Sequence, residues 1–190
     1  MLVKQIHGQH VDSSDYDLLI DDTNKDIQWA DIFAGRGEWR INTIKNVVWK
    51  PNPDLKIEMI PLSQINPNRK KRGKLSALDL ILSTTDFTMN SLGYDLHHAV
   101  LCEEKALPSI ENREIELLYA DATPPARYMT RLVIYAQRLQ FTIGIKAREF
   151  VQHSYTPTID PEIQKYLEIR KTPEEFESIQ RTLRAIASQQ

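Results

Sequence analysis

Ser14-Asp15-Tyr16-Asp17-Leu18-Leu19-Ile20 sets two carboxylates one residue apart at the head of an apolar run, directly after the turn-like Val11-Asp12-Ser13-Ser14. Side chains at i and i+2 of a strand share a face, so the spacing predicts a strand over 16–20 that opens with Asp15 and Asp17 side by side. Two like charges held that close call for a cation. A hard divalent ion with oxygen ligands, Mg²⁺ above all, is the usual one where phosphates are handled. A solvated turn before a strand is the other reading of the same residues.

Outward from that stretch, Ile27, Ala30, Asp31 and Ala34 recur at helical spacing and predict a helix over 26–34, stopped by Gly35 and Gly37. Val47-Val48-Trp49 and Leu55 to Ile60, separated by Pro51-Asn52-Pro53-Asp54, read as two antiparallel strands around a turn. The second strand sets a lone carboxylate, Glu58, between Ile57 and Met59. Arg69-Lys70-Lys71-Arg72-Gly73-Lys74 follows in a loop rich in Pro and Asn. Such a basic run either binds phosphates or is a solvated charged loop.

Ser76 to Leu82 reads as a short helix, and Thr85 or Asp86 as the cap of a second one running through Met89 to Leu92. Tyr94-Asp95-Leu96 and Ala99-Val100-Leu101 flank His97-His98 as a small hairpin, in which adjacent histidines are expected to face opposite ways and to make a poor metal pair. Glu114 to Tyr119 reads as a strand or the start of a short helix. The strongest helix spans 126–141, opened by Pro124-Pro125, with Met129, Leu132, Val133, Ala136 and Leu139 as its apolar stripe. Arg127 and Arg131 lie one turn apart beside that stripe, suited to phosphate or to surface ion pairs. Three further helices follow, over 146–152, 160–170 and 172–188.

The 190 residues carry a net charge of −2, which excludes a wholesale nucleic-acid coat but not a local basic patch. With 41% hydrophobic residues the chain can build a real core. Cys102 is the single cysteine, excluding an intramolecular disulfide and a cysteine-rich metal site. No apolar run approaches membrane-spanning length and no signal peptide is legible, so a cytoplasmic protein away from membranes is expected.

Three stretches now read together. Asp15-Tyr16-Asp17 followed by Glu58 resembles the metal triad of the polymerase-β-like nucleotidyltransferases. Asp86-Phe87-Thr88-Met89-Asn90-Ser91-Leu92 is similar to the Arg-Arg-Asp-Phe-Thr-Ile-Asn-Ala-Leu motif in the head domains of poly(A) polymerases and tRNA CCA-adding enzymes. Pro125-Ala126-Arg127 through Arg131 to Phe141 resembles their Arg-bearing helix. The resemblance covers roughly residues 10–145, and the motifs occur in the same order.

It implies an α+β fold: a mixed sheet of about five strands with packed helices over 1–122, followed by a helical neck over 123–190. By position Asp15, Asp17 and Glu58 would be catalytic and would hold Mg²⁺ or Mn²⁺. Ser14, Asp86, Asn90, Arg127 and Arg131 would face the nucleotide, and Arg69, Lys70, Lys71, Arg72 and Lys74 would face RNA phosphates. The implied function is transfer of a nucleotide from an NTP to an RNA 3′ end or another hydroxyl acceptor. RNA or tRNA is the expected partner, with a protein partner left open.

The chain departs from the pattern in three places. The Gly-Gly or Gly-Ser phosphate cradle is represented only by Gly8, so Met1-Leu2-Val3 reads as starting inside its helix. Either the chain is truncated or the cradle is lost. Thr84 and Thr85 stand where the family has two arginines, and no Glu-Asp-x-x-Arg motif is present. A CCA-adding enzyme is therefore not expected. The alternative function is the same fold with its chemistry lost, binding a nucleotide, an RNA or a protein.

Overall fold

The computed structural model describes residues 15–22, 26–64, 78, 82, 83, 85–119, 124–168 and 173–189. Ser14, the basic run Arg69 to Lys74, Thr84 and most of the helix expected over 76–82 lie outside the described residues, as does the side chain of Asp15. The chain forms two compact units, 1–77 and 78–190, each treated on its own.

The first unit is a mixed sheet. Its described strands are β1 (Asp15–Ile20), β2 (Glu38–Ile41), β3 (Val47–Asn52) and β4 (Leu55–Pro61), in the order β1-β4-β3-β2. β1 and β4 run parallel, and the other neighbours are antiparallel. A parallel pair cannot be joined by a tight turn, and the intervening chain holds α1 (Trp29–Phe33) together with the β2–β3 meander.

Alternation puts Leu18, Ile20, Ile57, Met59, Val47 and Trp49 on one face, where they pack with Trp29 around Phe33. Phe33 stacks on Trp29 at 6.0 Å between ring centroids and tilts against Trp49 at 5.1 Å. A phenylalanine buried this way contributes about 2 kcal/mol. The expected helix over 26–34 shrinks to five residues. Its first turn has no side-chain cap, because Gln28 stands where Ser, Thr, Asp or Asn would be needed. Its far end does stop where expected, with Gly35 and Gly37 at φ +67° and +100°. At Gly37 a Cβ would overlap the Lys50 carbonyl oxygen, so only glycine lets β3 come this close.

The second unit begins, among its described elements, with the Asp86–Asn90 stretch. The helix expected through Leu92 is one 3-10 turn, Thr88–Asn90, since Leu92 already belongs to a strand, and it has no side-chain cap because Phe87, not Thr85 or Asp86, stands at the cap position. That strand, β5 (Leu92–Asp95), forms a hairpin with β6 (Val100–Glu103), as expected. At its tip Asp95 Oδ1 accepts the backbone N–H groups of His97 and His98. This draws the two rings together edge to face at 4.7 Å rather than apart as expected.

α2 (Ala106–Glu111), unforeseen in the sequence, is followed by β7 (Glu114–Ile115). β7 pairs in parallel with β8 (Thr142–Ile143) across the long helix α3 (Pro125–Leu139). On α3 the stripe residues Met129, Leu132, Val133 and Ala136 are buried, while Leu139 is only partly so. Gln140, at φ 56°, ends the helix with a left-handed cap.

α4 (Ile145–Ser154), α5 (Asp160–Glu168) and α6 (Pro173–Ala187) complete the unit and bury Val151, Ile163, Ile179 and Leu183. Tyr155 Oη donates to Asp160 Oδ1 at 2.8 Å, and Arg184 reaches both Asp160 Oδ2 (2.7 Å) and Tyr155 Oη (3.2 Å). One polar knot thus joins the three helices. No helix among the described residues is long and apolar enough to cross a membrane.

Candidate active site

In the first unit the decisive geometry is a ladder register. Asp17 and Glu58 are direct partners across the parallel β1–β4 pair, and Asp15 is the partner of Lys56. Directly opposed residues share a sheet face. The same alternation that sends Leu18 and Met59 into the core therefore assigns Asp17, Lys56 and Glu58 to the opposite face.

Glu58 is the most constrained of these. Its Oε1 accepts a hydrogen bond from Asn42 Nδ2 at 3.0 Å and another from Asn46 Nδ2 at 2.8 Å, while Lys56 Nζ lies 3.3 Å from Oε2. Both asparagines belong to the β2–β3 turn. There Asn42 Oδ1 accepts the N–H groups of Ile44 and Asn46, and Lys45 takes a left-handed φ of 64°. Partial burial works to raise the Glu58 pKa. The Asn46 and Lys56 hydrogen bonds, the Lys56 charge and the Asn42 amide outweigh it and hold the carboxyl below its usual range.

That donor set does not fit a divalent metal ligand as it stands. Three donors already occupy the two Glu58 oxygens, and one of them is the Lys56 ammonium. Among the described residues no three His, Cys, Asp or Glu side chains converge on a metal position.

In the second unit a distinct constellation gathers around Asp86. Its Oδ1 accepts from Asn90 Nδ2 at 2.8 Å and from the Phe87 N–H at 3.1 Å. Its Oδ2 is buried and receives no well-angled hydrogen bond, its contact being an ion pair with Arg131 Nη1 at 2.9 Å. Arg131 also donates to Tyr135 Oη at 3.0 Å and lies 5.4 Å from that ring's centre. Burial lowers the Arg131 pKa, and the charges of Asp86 and Tyr135 more than reverse this, so its guanidinium stays charged. Beneath it Phe87 is fully buried, edge-on to Tyr135 at 5.9 Å, and the Thr88 hydroxyl donates to Ser109 Oγ at 2.8 Å. Arg127, one turn before Arg131, is exposed.

No family description and no curated protein matches the sequence. Solved structures do. The chain is similar to a tRNA-processing enzyme in an apo form, with a TM-score of 0.68 at 18% identity over 97% of this chain and 53% of that one. It is equally similar to a tRNA nucleotidyltransferase complexed with a primer tRNA and an incoming ATP analog (TM-score 0.68, 17% identity, 97% of this chain, 55% of that one). A CCA-adding enzyme with CTP matches at a TM-score of 0.64 and 16% identity, over 92% of this chain and 44% of that one. The chain has the nucleotidyltransferase head fold. It spans about half the length of the solved structures it matches.

Within this nucleotidyltransferase fold, the motif residues fall into the two local groups just described. Asp17 and Glu58 are register partners in one unit, and Asp86, Asn90 and Arg131 are bonded to one another in the other. Sequence reading missed Lys56, Asn42, Asn46 and Tyr135. The signal for Lys56 was present in its place two residues before Glu58, which sends both to one face of a strand. The asparagines flank a turn whose residues carry no period.

Proposed function

We propose that the chain is the head of an enzyme that moves a nucleotide from an NTP to an RNA 3′ end or another hydroxyl acceptor. The observation that carries this is the direct pairing of Asp17 with Glu58 across a parallel ladder, next to Asp15, in a nucleotidyltransferase fold. Its solved neighbours, one complexed with a primer tRNA and an ATP analog and another with CTP, support NTP and RNA as the partners.

In this reading the acceptor oxygen attacks the α-phosphorus, the bond to the bridging oxygen of the β-phosphate breaks, and pyrophosphate departs. Exposed Arg127 meets the triphosphate. Arg131, oriented by Asp86 and Tyr135, adds a second planar cation. Asp86 and Asn90 face the sugar and base of the nucleotide, Ser14 is kept as a nucleotide contact by its place in the motif, and the run Arg69 to Lys74 meets RNA phosphates. Asp15 and Asp17 supply the charge for Mg²⁺ or Mn²⁺, which when bound would neutralise phosphate charge. The head corresponds to 1–122 and the neck to 123–190, in a cytoplasmic setting.

One observation favours a second reading, a binding module that has lost its chemistry: the Lys56 ammonium on Glu58. Incubation with each α-labelled NTP and an RNA pool separates the two readings. Label that enters RNA with wild type and vanishes with Asp15→Asn/Asp17→Asn establishes the enzyme. Equal silence from both folded proteins favours the module.

A further inference from the structure

We propose that Lys56 is the resident cation of the carboxylate face, holding Glu58 away from any divalent ion and setting how tightly the chain binds one. The inference rests on the nucleotidyltransferase reading of Asp15, Asp17 and Glu58 and adds a control element to it.

Three placements converge. Lys56 and Glu58 are two residues apart on β4 and share a face, so their charged ends meet without distorting the strand, at 3.3 Å. Lys56 is also the ladder partner of Asp15, and Glu58 that of Asp17, so the ammonium belongs to the same two rungs as both aspartates. The Asn42 and Asn46 amides fix the other Glu58 oxygen from the β2–β3 turn, which leaves Glu58 little freedom to turn toward a new ligand. A divalent ion bridging these rungs would sit a few ångströms from a fixed positive charge. Like charges at that range repel by several times the thermal energy even under strong screening. Metal entry therefore requires the ammonium to withdraw. The flexible four-carbon stem of lysine permits this, at a cost that weakens the affinity.

The test is a Mn²⁺ titration of the full chain at fixed ionic strength, followed by the electron paramagnetic resonance signal of the free ion. Lys56→Gln is expected to tighten Mn²⁺ binding about tenfold or more, whereas Lys56→Arg, which keeps the charge, stays near wild type. The gain shrinks in Lys56→Gln/Glu58→Gln, because the Glu58 Oε2 that Lys56 covers is no longer there as a charged ligand and only the relief of repulsion remains. Circular dichroism checks each fold, and Lys56→Met, which keeps the aliphatic stem, takes the place of the glutamine variant if that one unfolds. Affinity within about twofold of wild type in the charge-removing variant overturns the proposal. So does a gain that survives undiminished in the double variant. Tighter binding without nucleotide transfer by any variant supports the Lys56 assignment and counts against the proposed function. Transfer that depends on Asp15 and Asp17 but shows no such gain does the reverse.

Discussion

Asp86 and Arg131 form a pair in which neither partner can be removed without stranding the other. The Asp86 side chain is 10% exposed, and among the described residues its second oxygen is met by the Arg131 guanidinium. Truncating one member of such a pair leaves an uncompensated charge. Arg131→Met is therefore expected to destabilise the protein by about 3 kcal/mol, read from the urea midpoint at unchanged slope. Adding Asp86→Asn to it should restore part of that loss, the sign of a coupled pair. Asn46 poses a milder case. It is 6% exposed and donates to a carboxylate, so Asn46→Ala should cost about 1.5 kcal/mol. The arginine was legible in the sequence because it lies on a long periodic helix one turn from Arg127. Its attachment to Tyr135 and Asp86 was not, since pairing between a helix and a distant 3-10 turn leaves no local pattern.

At the scale of elements, the start of α4 illustrates a cap supplied from outside the helix. Its own N-cap, Gly144, has no side chain, and the Glu116 carboxylate accepts the N–H groups of Lys146 and Ala147 in its place. A carboxylate there also meets the positive end of the helix dipole. Any Cβ on Gly144 would overlap that carboxylate. Gly144→Ala should therefore lower stability by about 1–2 kcal/mol, measured by thermal unfolding, even though the backbone conformation at residue 144 suits alanine. Long helices and the β3–β4 and β5–β6 pairs were readable because period and turn residues repeat over many positions. α1 and β7 were read too, though as longer elements than they are, whereas α2 and β8 are too short to show a period and depend on what they pack against.

For the whole molecule, the acid limb of stability follows from Glu58. Its pKa is lowered on folding from an ordinary value of 4.5, so its contribution is present above that value and lost as pH falls through the folded one. Glu58→Gln should be less stable than wild type at pH 7, and the gap between their urea midpoints should close as the pH is taken below 4. Asp95, drawn down to about 2 by its hydrogen bonds with His98, follows the same sign at a lower pH.

β1 carries one further consequence. Among the described residues it is an edge strand, paired on one side by β4. Such an edge is a template onto which a neighbouring molecule can add its own strand, and charges along it discourage that. Asp17, exposed on β1, thus adds a charge that works against such pairing. Joint replacement of Asp15 and Asp17 by asparagine, the control for nucleotide transfer, should raise concentration-dependent association in light scattering. Assays of that variant belong at protein concentrations where it is still monodisperse.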